Sequence, residues 1–590
     1  MNLLKKIKSV DVTYCLICLA MLAVCAALGC KINRQQNPKT QADKLIAEKT
    51  RLADKSEEIK RKLPARVGNI YVSNRHSCTM AASSRYVPSC FVDPSLVDRN
   101  QLREISIKLG KLFEMSAREI FEKLYDKKMS GRKFAWVKRE ISREEFADVR
   151  ALKRKYKLRA VGIEYEWRRE YPLGNFAGPV IGFRRKDNEP GAGIELSINR
   201  LLKAEDGKRV MRGDASRRPL FGNLEKSVRP KDGRNVYLTI DAVMQKHLQQ
   251  AVSEAVDKYD AQWGTGIIMD PQTGDVLAMV SAPTFDPNNY SFYSGERMGM
   301  MLNRSVSCSY EPGSIFKPFI AASAVEDGLC TYDTKFYCER GVYHARRGGR
   351  ITDHGSRYGF LSLGDIIVKS SNVGMAKVGE KYGNKRLYEL VHKWGFGCKT
   401  GIDLPGELPG NVRMLRSWNG YSLRRVPFGQ EISTTPLQIA TAFCAFANGG
   451  KLLKPRIVRL ITDQRNRIVY RTRPEIIRQV ISPEVAKQSR HVMEDVVKRG
   501  TAKKARSKKY SIWGKTGTAQ VSNSQGYISG AYNGSFIAGA PVENPSLICL
   551  ISIYRPGRNK KYYGGTVAAP YVKDVLEKSL AYLKVKPDKK

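Results

Sequence analysis

Three short motifs occur in order along the chain, and the first has the residue types of a serine nucleophile with its base. It consists of Ser314 and Lys317, inside the stretch Glu311–Pro318. At the start of a helix, this spacing places a hydroxyl and an ammonium group on one face, one turn apart. A serine activated by lysine rather than histidine needs that placement. Gly313 allows a tight turn before the helix, and Pro318 is tolerated because first-turn N–H groups have no intrahelical partner.

The second motif is Ser370-Ser371-Asn372, and the third is Lys515-Thr516-Gly517-Thr518. A lone Ser-x-x-Lys pair arises by chance in a chain of 590 residues and would then be a helix cap followed by an exposed lysine. All three motifs in this order, each in a fitting local context, resemble the signature of penicillin-recognising serine acyltransferases. The resemblance outweighs the chance explanation.

The chemistry that these motifs imply is acyl transfer through a serine ester. Ser314 attacks a peptide carbonyl, and Lys317 is the best candidate base, because burial beside other cations lowers the pKa of a lysine. Lys515 supplies such a nearby charge. Ser370 relays protons between the lysine and the leaving amine, since a hydroxyl both donates and accepts. The amide of Asn372 is suited to holding the substrate backbone.

The third motif is predicted to bind the substrate. Lys515 offers a positive charge to a terminal carboxylate, and Thr516 and Thr518 offer hydroxyl groups. Gly517 is expected to keep the strand edge clear, so that the substrate lies along it as an added strand. The resemblance implies an oxyanion hole made by the backbone N–H groups of Ser314 and Thr518.

Three neighbouring features are predicted to be structural. Ser371 is expected to pack, and Asp353-His354, in a loop before the second motif, is expected to support the fold rather than to react. Trp513, next to the third motif, is expected in the core. No Cys/His spacing indicates a metal site, and no cofactor is expected.

The elements that must position these motifs follow from strand and helix patterns. A strand running into a helix capped by Asp241 is predicted over Arg234–Gln245. A hairpin that turns at Asp270–Asp275 is predicted over Gly266–Val280. Later elements are a helix opened by Thr435–Gln438, strands at Phe536–Pro541 and Leu547–Tyr554, and a closing helix at Leu576–Leu583.

Residues 66–227 mix short apolar strands with charged helices and resemble the N-terminal pedestal of class B penicillin-binding proteins. The pieces that carry the resemblance are Val92-Asp93-Pro94, Trp136–Arg139, Arg169–Pro172, Val180–Phe183 and Gly191–Glu195. We interpret them as structural. Val67–Ser73 departs from the family, which has Arg-Gly-x-Ile-x-Asp-Arg at this point, so the contacts of those charged residues are not carried over to this chain.

The resemblance implies an α+β protein with an N-terminal transmembrane helix, an elongated, mostly-β/α pedestal domain and a C-terminal penicillin-binding transpeptidase domain, whose antiparallel sheet is flanked by helices. The predicted segments are a cytoplasmic tail (1–11), a transmembrane anchor (12–30), a linker and helical stalk (31–64), the pedestal or dimerisation-like domain (65–227) and the transpeptidase domain (228–590).

The anchor is predicted because Val12–Cys30 lacks charged residues and approaches the ~20 residues that span a bilayer. Lys5, Lys6 and Lys8 precede it, which favours a cytoplasmic N-terminus. A signal peptide has a similar pattern, but an uncleaved anchor is preferred. The chain after residue 31 is then extracytoplasmic, as expected for a single-pass protein of the bacterial plasma membrane with its catalytic domain on the periplasmic face.

The segment Gln41–Leu63 is predicted to be helical. Apolar residues recur every seven positions, at Leu45, Leu52 and Ile59, and Pro64 ends the segment. Both a short coiled-coil stalk and an amphipathic helix packed on the next domain fit this pattern.

The composition restricts the partners. The 102 lysines and arginines against 57 acidic residues give a net charge of +45, which attracts polyanions. No nucleic-acid-binding motif accompanies this charge, and an extracytoplasmic location argues against nucleic acid. Of the 12 cysteines, eight lie outside the anchor, where disulfides are permitted. Spacing does not fix their pairing, although Cys330 with Cys338 and Cys78 with Cys90 are nearest in sequence.

The leading hypothesis is a D,D-transpeptidase that cross-links peptidoglycan stem peptides ending in D-Ala-D-Ala and is acylated by β-lactams. The Ser-Ser-Asn motif followed by Val-Gly-Met-Ala-Lys resembles the cell-division (septal, FtsI-like) members of class B. Expected partners are the membrane, a membrane glycosyltransferase and other division proteins. The alternatives are an elongation-type transpeptidase, a β-lactamase or β-lactam sensor, and a non-catalytic division scaffold.

Overall fold

The structure is a computed structural model. It describes residues 58–213, 219–220, 227–345, 349–354, 357–523, 526–557 and 559–589, together with residues 20, 21, 23 and 24. The predicted anchor, apart from those four positions, and the predicted stalk up to residue 57 lie outside the described residues. In the part of the chain that is described, no helix is long and apolar enough to cross a membrane.

The strands are numbered in chain order. They are β1 (Glu58–Leu63), β2 (Ile70–Asn74), β3 (Ser77–Val92), β4 (Ala135–Lys138), β5 (Val161–Glu170), β6 (Gly207–Gly213), β7 (Pro219–Leu220), β8 (Asn235–Asp241), β9 (Trp263–Met269), β10 (Val276–Ala282), β11 (Lys335–Tyr337), β12 (Val342–Ala345), β13 (Gly349–Thr352), β14 (Phe360–Ser362), β15 (Asn411–Val412), β16 (Ile432–Ser433), β17 (Lys451–Leu453), β18 (Val458–Thr462), β19 (Ile468–Arg471), β20 (Ile476–Gln479), β21 (Trp513–Asn523), β22 (Gly526–Ala540) and β23 (Leu547–Tyr554).

The α-helices are numbered in the same way. They are α1 (Arg99–Phe113), α2 (Ala117–Met129), α3 (Arg143–Lys155), α4 (Gly178–Ile181), α5 (Gly193–Ser197), α6 (Asn199–Leu202), α7 (Ala242–Lys258), α8 (Arg304–Ser307), α9 (Lys317–Glu326), α10 (Leu363–Lys369), α11 (Asn372–Lys393), α12 (Gly420–Arg425), α13 (Pro436–Cys444), α14 (Pro483–Lys498), α15 (Gly564–Val567) and α16 (Ala569–Tyr582). Short 3-10 turns lie at Pro94–Leu96, Pro287–Phe292, Gly295–Met301, Gly313–Phe316, Glu339–Gly341, Leu415–Ser417, Val426–Phe428 and Lys503–Ala505.

The chain divides into two compact units. The first unit contains the described residues within 58–64 and 205–231, which form an antiparallel sheet in the order β1-β6-β7. Its first strand corrects a prediction, because Glu58–Leu63 was expected to end the stalk helix and is extended. The backbone of β1 pairs with β6, which lies far along the chain, so a local heptad pattern could not reveal the partner.

The second unit, residues 65–204 with 232–590, contains a seven-stranded sheet in the order β19-β18-β8-β2-β3-β4, with β5 also paired to β3. Strand β2 runs parallel to β8, and the other pairs are antiparallel. At the β4 end of the sheet, α1, α2 and α3 bury a hydrophobic cluster of their own, separate from the main core. The sheet therefore joins residues of the predicted pedestal to residues of the predicted transpeptidase domain.

A five-stranded antiparallel sheet in the order β10-β9-β23-β22-β21 carries the third motif. Helices α7 and α16 pack against each other and against this sheet, and α13 and α14 also pack on its strands. Strand β21, which carries the third motif, lies at one edge. The predicted strand and helix at 234–245 are confirmed, with Asp241 accepting hydrogen bonds from the N–H groups of Val243 and Met244. The predicted hairpin, the two late strands and the closing helix are also confirmed.

A cluster of aromatic rings packs around the end of the turn Gly313–Phe316 and the start of α9. Phe316 and Phe319 contact the ring of Phe396, and Phe319 also contacts Trp394 and Phe446. All five side chains are buried. The eight cysteines outside the predicted anchor are free thiols, so neither of the two nearest pairs forms a disulfide.

Candidate active site

Ser314 lies in the 3-10 turn that leads directly into α9. The α-helix therefore begins at Lys317, three residues later than the nucleophile, and Pro318 sits in its first turn as predicted. Gly313 has a φ of +56°, in the left-handed region that favours glycine. Within the described residues, no protein group hydrogen-bonds the Ser314 hydroxyl, so the hydroxyl is available to a substrate in the cleft that it lines.

Lys317 is fully buried, and its amine points at the second motif. Nζ donates to the backbone carbonyl of Ser370 (2.6 Å), to Ser370 Oγ (3.2 Å) and to Oδ1 of Asn372 (2.8 Å). Burial lowers the pKa of Lys317 to about 7, against a smaller upward effect from the charge of Asp353. A large fraction of this amine is therefore neutral near pH 7, and its lone pair can accept a proton.

Lys515 is also fully buried, and it reaches the same hydroxyl from the third motif. Its Nζ donates to Ser370 Oγ (2.9 Å) and to the carbonyl of Thr516 (3.1 Å). Burial, and then the positive charge of Lys317, hold the pKa of Lys515 well below its ordinary value. Among the described residues, no carboxylate forms an ion pair with either lysine.

Ser370 Oγ accepts a hydrogen bond from each of the two amines. A hydroxyl has two acceptor lone pairs and one hydrogen, so two N–H donors at Oγ leave its own proton free to donate elsewhere. The residue has φ 65° and ψ 40°, a left-handed conformation that ends α10. Helices often end in this conformation, which costs a non-glycine residue about 1–3 kcal/mol and here turns the chain from α10 into the second motif.

The third motif lies on the edge strand β21, beside the nucleophile turn. The hydroxyl of Thr516 is hydrogen-bonded to that of Thr501 (2.6 Å), and the Thr518 hydroxyl accepts from the N–H of Gly564 (3.2 Å). A β-carbon at Gly517 would lie 2.5 Å from Ser535 Oγ on the neighbouring strand β22 and 2.9 Å from Ile315 Cγ2. Close packing of β21 against β22 and against the turn Gly313–Phe316 thus favours the glycine, a reason that the sequence prediction did not include.

These motifs converge on a cleft of about 580 Å³. Ser314, Ser370, Asn372, Thr516 and Thr518 line it, whereas Lys317, Lys515 and Gly517 lie directly behind the lining. The structure thus brings all the predicted site residues into one place.

A comparison with protein-family models matches residues 264–577 to the penicillin-binding protein transpeptidase domain and residues 62–238 to the penicillin-binding protein dimerisation domain. The first match alone covers more than half of the chain. The chain belongs to the class B penicillin-binding proteins. It is therefore a serine-type peptidoglycan D,D-transpeptidase with a two-domain architecture.

Similar proteins agree with this assignment. Stage V sporulation protein D of Bacillus subtilis is 33% identical over 86% of this chain and 77% of its own length. The peptidoglycan D,D-transpeptidase FtsI of Buchnera aphidicola is 32% identical over 72% of this chain and 71% of its own length. The crystal structure of penicillin-binding protein 3 of Mycobacterium tuberculosis complexed with aztreonam superposes with a TM-score of 0.67 at 25% identity, covering 89% of this chain and 98% of that one.

In this penicillin-binding protein, Asp353 organises the second motif. Its Oδ1 accepts hydrogen bonds from the backbone N–H groups of Asn372 (2.6 Å) and Val373 (3.0 Å), and its Oδ2 accepts from the Ser371 hydroxyl (2.7 Å). Ser371 in turn caps α11 through the N–H of Gly374. These hydrogen bonds fit the prediction that both residues support the fold, and that prediction stands beside the effect of Asp353 on Lys317. The sequence did not reveal that one carboxylate holds the motif, because nothing marks a contact across eighteen positions.

The predicted core position of Trp513 is confirmed, since the side chain is buried and stacks on Phe443. His354, expected to be structural, lies at the cleft and packs edge-on against Tyr563. Other cleft residues come from loops, 3-10 turns and the last residue of α10, which carry none of the three motifs, so sequence reasoning did not place them at the site. They include Tyr358, Lys369, Phe428, Gln430, Thr501, Lys503, Lys504 and Tyr563.

Proposed function

We propose that this enzyme cross-links peptidoglycan stem peptides during septal wall synthesis, through an acyl-enzyme on Ser314. The observation that supports the mechanism most directly is the pair of lysine amines, on Lys317 and Lys515, that donate to one hydroxyl, Ser370 Oγ. This arrangement leaves the Ser370 proton available to a third group.

In the acylation step, Ser314 Oγ bonds to the carbonyl carbon of the penultimate D-Ala, and its proton passes to neutral Lys317. The amide bond to the terminal D-Ala then breaks, and the Ser370 hydroxyl gives its proton to the leaving amine while Lys317 replenishes it. The amine of a second stem peptide attacks the ester, and the same groups carry protons in the reverse direction. Ser314 is thereby regenerated.

The remaining site residues hold the donor peptide. Lys515, Thr516 and Thr518 bind the terminal carboxylate, and Asn372 binds the peptide backbone. The backbone N–H groups of Ser314 and Thr518 stabilise the developing oxyanion. β-Lactams acylate Ser314 as mimics of the donor. Solved complexes of the similar Mycobacterium tuberculosis protein with aztreonam and with ampicillin support this part of the proposal.

The septal role is supported by the Ser-Ser-Asn motif and by the similarity to a protein named FtsI. The proposal includes a single membrane anchor at residues 12–30, an extracytoplasmic catalytic domain and a membrane glycosyltransferase partner. The domain boundaries at 65 and 228 also remain predictions. An elongation-type transpeptidase is the alternative within the class.

The test is labelling of the purified full-length chain with a fluorescent penicillin, in parallel with Ser314→Ala. We expect a stable adduct on the wild type and none on the variant. Rapid turnover of the penicillin would favour a β-lactamase instead. Neither adduct nor turnover on the wild type would contradict the catalytic proposal and favour a scaffold.

A further inference from the structure

Two exposed lysines extend the cleft beyond the three motifs. Lys503 and Lys504 lie in the 3-10 turn Lys503–Ala505, and both line the cleft. The turn is fixed in place, because Ala502 and Ala505 are fully buried and the neighbouring Thr501 is hydrogen-bonded to Thr516 of the third motif (2.6 Å). The two ammonium groups are therefore carried on a rigid support beside the substrate-binding strand.

The pairing of cations differs between this turn and the end of the helix just before it. Lys498 pairs with Glu494 at 2.9 Å, and Arg499 pairs with Asp365 at 2.7 Å, away from the cleft lining. In the described part of the chain, neither Lys503 nor Lys504 has an ion-pair partner. The basic residues of this stretch thus lack counter-ions where they face the cleft.

The rest of the lining does not neutralise this charge. Lys369, at the end of α10, adds a third lysine that has no ion-pair partner among the described residues. Of the described residues that line the cleft, Asp353 alone carries a carboxylate. Its oxygens already accept hydrogen bonds from Ser371, Asn372 and Val373. An anionic ligand would therefore find unpaired cations at this wall of the cleft.

We propose that Lys503 and Lys504 form a second carboxylate subsite, which selects acyl donors that carry a free carboxylate upstream of their D-Ala-D-Ala end. The inference rests on the proposed function, in which Lys515, Thr516 and Thr518 already hold the terminal carboxylate. A stem peptide has two sources of a further carboxylate. One is the α-carboxylate of a γ-linked glutamate at its second residue, and the other is the second carboxylate of a diamino diacid at its third residue.

The experiment measures how soluble stem pentapeptides slow Ser314 acylation by a fluorescent penicillin on the full-length chain. Four peptides combine a free or amidated carboxylate at the second residue with lysine or a diamino diacid at the third. The measured quantity is the peptide concentration that halves the acylation rate. We expect this concentration to be roughly five- to tenfold lower for peptides with at least one free carboxylate than for the fully amidated lysine peptide, which is the scale of two partly exposed ion pairs. The advantage shrinks as salt is added.

The variant Lys503→Ala/Lys504→Ala is expected to erase the difference between carboxylated and amidated peptides. The matched control is Lys508→Ala/Lys509→Ala, which removes the same charge from the same basic stretch outside the cleft lining and should keep the difference. If the alanine variant unfolds at a lower temperature than the wild type, Lys503→Gln/Lys504→Gln takes its place as a more conservative double substitution.

The four peptides also identify the source of the carboxylate, since each source is varied separately. Equal half-inhibiting concentrations for all four peptides on the wild type would overturn the subsite, as would the absence of inhibition. An equal loss in the control variant would show that the overall basic charge, not these two residues, attracts the peptide. Failure of the penicillin to label the wild type would instead contradict the proposed function.

Discussion

Two regions of the molecule each bury a pair of basic side chains. One region pairs them with a carboxylate, and the other hydrogen-bonds them to uncharged groups only. In the predicted pedestal, Arg169 and Arg184 pair with Glu195 at 2.5 and 2.6 Å, and the three side chains are at most 3% exposed. Behind the cleft, Lys317 and Lys515 are buried as completely, but their hydrogen bonds go to hydroxyl, amide and carbonyl oxygens.

The residue types match the two tasks. Arginine keeps its proton under all ordinary conditions, so burying it requires a counter-ion, and Glu195 supplies one to both guanidinium groups. A lysine buried without a carboxylate partner loses its proton more readily, which is why the pKa values of Lys317 and Lys515 are lowered. The pedestal cluster therefore keeps its charges paired, whereas burial without a carboxylate partner favours the neutral amine that the proposed mechanism requires of Lys317.

The largest effect is expected when arginine, the basic residue of the pedestal cluster, replaces a buried lysine of the candidate active site. Lys317→Arg keeps a cation that cannot act as a base, so we expect Ser314 acylation to slow by about 10²–10⁴-fold, the usual contribution of a general base. The rate of fluorescent-penicillin labelling measures this. Lys508→Arg, a change at an exposed lysine outside the cleft lining, should leave the rate unchanged. A Lys317→Arg rate within a few-fold of the wild type would exclude Lys317 as the base.

The reverse test removes the counter-ion from the pedestal. Glu195→Gln leaves two buried guanidinium groups without a carboxylate, and we expect the free energy of unfolding to fall by about 3–5 kcal/mol. Denaturant unfolding measures the change. Glu104→Gln is the control, because Glu104 pairs with Lys108 on an exposed helix surface and should cost at most about 1 kcal/mol.

Acylation per folded molecule is the second readout for Glu195→Gln. It should be unchanged, since none of the cluster residues lines the cleft. A parallel loss of acylation would show that the pedestal cluster and the catalytic site are coupled, and the two regions would then not have separate tasks.

The sequence was enough to select the candidate site residues that the structure brings together, because the chemistry prescribes their types and, for Ser314 and Lys317, their spacing. Arg169 and Glu195 were also marked, each within a piece interpreted as structural, but their pairing was not visible. A contact between residues far apart in sequence is set by packing, which a motif does not encode. The same limit explains the error at Glu58–Leu63, where pairing with β6 overrode a helical pattern.

Asp353 allows a finer test, because it influences the catalytic charge without touching Ser314. Its negative charge raises the pKa of Lys317, against the larger lowering effect of burial. Since neutral Lys317 is the base, the wild-type acylation rate should rise as the pH rises through about 7 and then level off. This profile provides the reference for a variant that keeps the shape of Asp353 and removes its charge.

Asp353→Asn should move the midpoint of that profile to lower pH, because the loss of a nearby negative charge favours the neutral amine. The plateau rate should fall roughly tenfold, since an amide holds the N–H groups of the second motif more weakly than a carboxylate does. Asp365→Asn is the control, because its carboxylate pairs with Arg499 rather than with the motif. A midpoint that stays in place or rises in Asp353→Asn, while the plateau falls, would show that the charge of Asp353 does not raise the pKa of Lys317 and that the residue acts only by holding the second motif.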